Sequence, residues 1–143
     1  MSTVMQPEQQ LKGWLQQLSK LIDEVETWAR DLDWSTRRIE VNLHESAIGK
    51  YQAPALLLQH EATKALLEPI ARYVPGANGV VDLYIMPAYD DLASLYLSDD
   101  GWSVRYAFSG SQSGQSRYDV DPIPLTQVSF RDVLEAMQSN VIA

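Results

Sequence analysis

The hydrophobic period of this chain changes from that of a helix to that of a strand after Trp34, and that change sets its class. Before it, Leu11, Trp14, Leu18, Leu21, Val25, Trp28 and Leu32 recur at alternating intervals of three and four. Side chains so spaced share one stripe of a helix, and the pattern predicts a long helix from Glu8 to Leu32. Leu15, Ile22 and Ala29 widen the stripe, while Lys12, Gln16, Asp23 and Glu24 belong to a solvated side. Pro7 and Glu8 suit the first turn, where a missing N–H is tolerated and an acidic group meets the positive end of the dipole. After Trp34 the period is two. In "RRIEVNLHE", Ile39, Val41 and Leu43 alternate with Arg38, Glu40, Asn42 and His44, the pattern of a half-buried strand.

The remaining elements read as a succession of strands. "SAIGKYQ" is a turn region around Gly49, and "APALLLQHE" is a continuous apolar run suited to an interior strand. In "ATKALLEPIARYV" the residues Ala62, Leu66, Ile70 and Tyr73 could line a helix, but Pro69 would fall in its middle at a cost of about 3 kcal/mol, so a strand is expected. "PGANG" is turn chemistry; "VVDLYIM", "LASLYLS" and "WSVRYAF" are three further strands, the last two joined by a turn at Asp100-Gly101. Ser129 is expected to cap a closing helix whose apolar side is Phe130, Val133, Leu134 and Met137. Together these predict one α+β domain over residues 1–143. It has a long N-terminal helix, an antiparallel sheet of five or six strands in mainly meander order, and a C-terminal helix packing on the sheet. Residues 1–7 read as a disordered start and 109–127, rich in Ser, Gly and Gln, as a flexible loop.

Strand alternation also sorts the side chains by face. With Asp100-Gly101 as a two-residue turn, Leu95, Leu97, Trp102, Val104, Tyr106 and Phe108 form a core face, joined by Val81, Leu83 and Ile85 of the preceding strand. Asp82, Tyr84 and Met86 then fall on the wetter side. A five-residue "PGANG" loop sets Arg72 opposite Asp82, and a row of Arg72, Asp82, Tyr96 and Arg105 is expected to cross four strands with Asp82 facing solvent. These residues, with Tyr84 and Met86, form a candidate recognition patch of the types favoured at interfaces. A second candidate surface is the helix seam itself: Trp14, Leu18, Leu21, Val25 and Trp28 carry much apolar area for one helix and would support a homodimer.

Composition narrows the function. Nineteen acidic residues against eleven basic ones give a net charge of −8, which repels phosphate backbones and argues against nucleic-acid and anionic-membrane binding. With no cysteine and two histidines, His44 and His60, at no ligand spacing, no metal site is expected. Asp90-Asp91 beside Pro87 and Tyr89 reads as a polar turn. Phosphate-binding glycine loops, nucleophile elbows and a lysine two residues after an acid, as in restriction-type nucleases, are all missing. No apolar stretch has the form of a signal peptide or the length to span a bilayer, so a cytoplasmic location is expected. The expected function is a non-enzymatic protein-interaction or adaptor-type domain without a cofactor, bound to a protein partner or to itself. The alternative is a small-molecule-binding protein or enzyme using the polar sheet face around Asp82, Tyr84, Arg72 and Tyr96.

Overall fold

A computed structural model describes residues 6–87, 90–107 and 120–142. It begins with helix α1 (Pro7–Asp31), continues through strands β1 (Ser35–Glu45), β2 (Gly49–His60), β3 (Thr63–Ala71), β4 (Gly79–Ile85), β5 (Asp90–Ser98), β6 (Gly101–Tyr106) and β7 (Ile123–Pro124), and ends with helix α2 (Gln127–Ile142). The seven strands form one antiparallel sheet in chain order, an uninterrupted meander. The fold is α+β, with one strand more than the sequence suggests. The additional β7 pairs Ile123 and Pro124 with Val104 and Ser103, so the stretch expected to be loop to residue 127 is structured near its end. Pro7 already belongs to α1 rather than to a disordered start.

Both helices cover the same side of the sheet. Trp14, Leu18, Leu21, Ile22, Val25 and Ala29 of α1 and Phe130, Val133, Leu134 and Met137 of α2 share a core with Leu56, Leu58, Ala65, Leu67, Val81, Leu83, Ala93, Leu95 and Val104. The helices meet where the Trp28 ring tilts against Phe130, centroids 5.8 Å apart. α1 ends in a Schellman arrangement: Asp33 takes φ 67°, its N–H bonds the Arg30 carbonyl, and the Trp34 N–H reaches back to Ala29. Trp34 is itself buried, so the turn that stops the helix also anchors the chain where the period changes. α2 starts three residues earlier than a Ser129 cap predicts. Thr126 is the cap, its Oγ1 accepting from the Ser129 N–H at 3.1 Å while Ser129 Oγ accepts from the Thr126 N–H at 2.8 Å. Ser129 thus takes the reciprocal position of a capping box usually given to Glu or Gln.

The sheet does not lie flat. β2 pairs with β3 only over Leu56–His60, and the residues of β2 that meet the helices change from Tyr51 and Ala53 to Leu56 and Leu58 around Pro54. The β1–β2 hairpin beyond that point reaches the start of α1. There, Trp14 Nε1 donates to the Tyr51 hydroxyl at 3.1 Å, and Tyr51 donates to Glu45 Oε2 at 2.5 Å. The Glu45 carboxylate also accepts the backbone N–H groups of Arg72 and Tyr73, each at 3.0 Å. Burial, and then the neighbouring Glu45, raise the Tyr51 phenol well above its ordinary range, so it stays a donor.

Candidate functional site

The side of the sheet away from the helices carries its own small cluster. Ala55, Leu66 and Tyr84 are buried there, with Ile39, Val41, Leu57, Met86 and Leu92 half-buried around them. No helical residue belongs to it. Beside this cluster the register lines up Glu68, Asp82, Ser94 and Arg105, one from each of β3, β4, β5 and β6. The expected row therefore has the right face but the wrong members at two positions. Asp82 lies opposite Glu68 and Ser94, not Arg72 and Tyr96.

The β5 partner of Asp82 slipped by two residues and the β3 partner by four, and an even shift preserves the face because alternation has period two. In the β5–β6 hairpin the slip has a local cause. The turn residues are Asp99 and Asp100, Ser98 pairs with Gly101, and Gly101 takes φ 109° as the first residue of β6. Ser98 Oγ accepts from the Asp100 N–H at 3.3 Å and donates to the Gly101 carbonyl at 3.2 Å, holding the tighter turn.

The sequence-predicted patch is thus partly assembled. Tyr84 donates to Glu68 Oε1 at 3.4 Å, and burial followed by the Glu68 carboxylate raises its pKa. The Arg105 guanidinium lies over the Tyr96 ring, 5.4 Å from its centroid, and its buried Nε has no hydrogen-bond acceptor among the described residues. Met86 packs on the apolar cluster. Arg72 is elsewhere: beyond the end of β3 it donates through Nη1 to the Asn78 carbonyl at 2.7 Å and lies over Tyr73. The expectation that Asp82 faces solvent is corrected. It is 8% exposed, and Ser94, 3% exposed, donates to its Oδ1 at 3.5 Å.

Ser94, Glu68, Leu57 and Leu66 complete this face; alternation with Tyr96 sets Ser94 on the wetter side, while the other three were not picked out from the sequence. Leu66 and Glu68 share the parity of an outward-facing pair in β3, the one signal available. Tyr89 and Phe108 lie outside the described residues.

The helix seam is not a free surface. Trp14, Leu18, Leu21 and Val25 are at most 2% exposed inside the chain's own core. Trp28 is half-buried against Phe130. The stripe is consumed by the sheet and by α2, which leaves the first four no area for a partner.

The helix-free face joins a phenol, two carboxylates, a serine and a guanidinium to a small apolar cluster. Its phenol is held protonated, whereas a nucleophile or general base needs a lowered or near-neutral pKa. Ser94 has no imidazole beside it, because His44 and His60 lie in β1 and β2. His60 packs on the Trp34 ring at 5.5 Å. Among the described residues no three of His, Cys, Asp and Glu come together as a metal-binding group, and no helix is long and apolar enough to cross a membrane. Compared with protein-family models, with curated proteins and with solved structures, the chain gives no significant match.

Proposed function

We propose that this chain is a non-enzymatic, cytoplasmic protein-interaction module whose docking surface is the helix-free side of β2–β6. The observation that carries this is the half-buried apolar group of Leu57, Met86 and Leu92, set around Leu66 and Tyr84 on a side that neither helix covers. Beside it stand Tyr96 and Arg105, residue types that dominate interface energetics. The charge of −8 and the adjacent Glu68 and Asp82 suit a partner that presents apolar side chains within a basic rim. A small anionic ligand is the second reading, favoured by the Arg105 Nε, a buried donor with no acceptor among the described residues.

Affinity purification from the native host distinguishes the two. The expected result is a stoichiometric protein partner retained by the wild-type chain and lost from Met86→Arg/Tyr96→Ser, with the variant's circular dichroism and melting unchanged. Equal retention by the variant would refute docking on this face. Native mass spectrometry showing a bound small anion in place of a protein would favour the second reading.

A further inference from the structure

One edge of the sheet is long, regular and open. β1 pairs with β2 without a break from Ser35–Gln59 to Glu45–Gly49, and among the described residues it has a hydrogen-bonded strand on one side only. It contains no proline and no bulge, two of the means by which an edge strand is protected, and its charged residues Arg37, Arg38, Glu40 and Glu45 are of both signs. The opposite edge, β7, is two residues long and includes Pro124. β1 is also the only long strand with no fully buried residue. Ile39, Val41 and Leu43 stay half-exposed although their partners Ala55, Ala53 and Tyr51 on β2 are buried. Its outward N–H and C=O groups form a ready template for a further strand.

The side-chain pattern of β1 suits its own copy. An antiparallel pair related by a two-fold axis through Val41 sets Val41 against Val41, Ile39 against Leu43, Arg37 against Glu45 and Glu40 against Asn42. Every apolar side chain meets an apolar one, and exposed Arg37, which has no ion pair among the described residues, meets an acidic residue. Arg38 falls opposite His44, but its charge is already answered by Asp23 and Glu26 at 2.5 and 2.9 Å. Moving the axis one residue, to Glu40, would place two like charges directly opposite each other.

We infer that β1 is a homodimerisation edge: β1 of a second copy pairs with it antiparallel about Val41, joining the two sheets into one. The joined sheet sets the two helix-free sides next to each other. The inference does not depend on what docks on them.

The absence of cysteine makes the test direct. Facing residues of such a pair have Cα atoms about 4.5–5.5 Å apart, inside the range a disulfide can bridge. Val41→Cys should therefore give a disulfide-linked dimer under mild oxidation. Asn42→Cys, whose own copy lies two residues away, should cross-link at least tenfold more slowly, beyond the roughly 7 Å limit. Without oxidant, light scattering should give twice the 16.1 kDa chain mass at micromolar concentration. Val41→Lys, which sets two ammonium groups on the axis, should return a single-chain mass with unchanged circular dichroism. A wild-type chain of single mass over that range, or faster cross-linking at residue 42 than at residue 41, would overturn the proposal.

Discussion

Gly79 and Trp14 show how one residue without a side chain admits the largest one. A Cβ built on Gly79 would sit 2.3 Å from Cζ3 of Trp14, closer than carbon atoms can approach. The indole occupies that space, tilts against Trp102 with centroids 6.3 Å apart and donates to Tyr51. Gly79 looked like turn chemistry in the sequence, but its φ is not positive, and the space it leaves is what matters. Gly79→Ala is expected to displace the ring and destabilise the fold by roughly 1–3 kcal/mol, as overpacking does. Denaturant unfolding followed by tryptophan fluorescence measures this, and a stability within a few tenths of wild type would show that the ring relaxes without cost.

At the scale of elements, α1 is fastened to β1 by ions as well as by its apolar stripe. Arg38 bonds both Asp23 and Glu26, and Glu26 also accepts from Thr36 at 3.1 Å. The Arg38 hydrogen bond, supported by Thr36 and by the charges of Arg38 and Arg30, holds the Glu26 carboxyl below its ordinary value of 4.5 against the opposing effect of burial. A depressed folded-state pKa contributes stability above the unfolded value that is lost as pH falls through the folded one. Because Arg38 is half-exposed, solvent screens the pair, and Glu26→Gln should cost roughly 0.5–1 kcal/mol at neutral pH. That difference from wild type should shrink as the pH drops below about 4.5. Urea midpoints of both proteins from pH 7 to about 3 check this, and a difference constant with pH would remove Glu26 from the acid response.

In the molecule as a whole the main apolar core joins buried residues of α1, β2 to β6 and α2. Neither helix has a private core, so the helices should not unfold apart from the sheet. Thermal transitions followed by far-ultraviolet circular dichroism and by tryptophan fluorescence are expected to coincide. A separate early loss of helical signal would mean that α2, which among the described residues gives the core Phe130, Val133, Leu134 and Met137, is a detachable element. The same arrangement explains the two sides of the sheet. The helices lie at the two ends of the chain, both apolar stripes must be buried, and the meander presents one continuous apolar side for them. Its other side is left to a smaller apolar cluster and a polar row.

What the sequence by itself determined is the set of features governed by local periodicity. The three-and-four spacing specified α1, alternation specified the strands and their faces, and Pro69 turned an ambiguous stretch into β3. Face membership survived even where the register was off by two or four, because an even shift leaves alternation intact. Tertiary structure alone decided the neighbours. Which residues face each other depended on turn geometry at Asp99-Asp100 and on the bulge between Pro69 and Ala71, each able to shift a pairing without changing the hydrophobic pattern. It also decided burial. Asp82 looked solvated because it alternated with apolar residues, yet it is enclosed between Glu68 of β3 and Ser94 of β5, which the meander brings beside it. Glu45 carried no local signal at all, because the N–H groups it accepts lie 27 and 28 residues further along the chain. Periodicity reports which side of an element is apolar; only the packed chain determines what covers it.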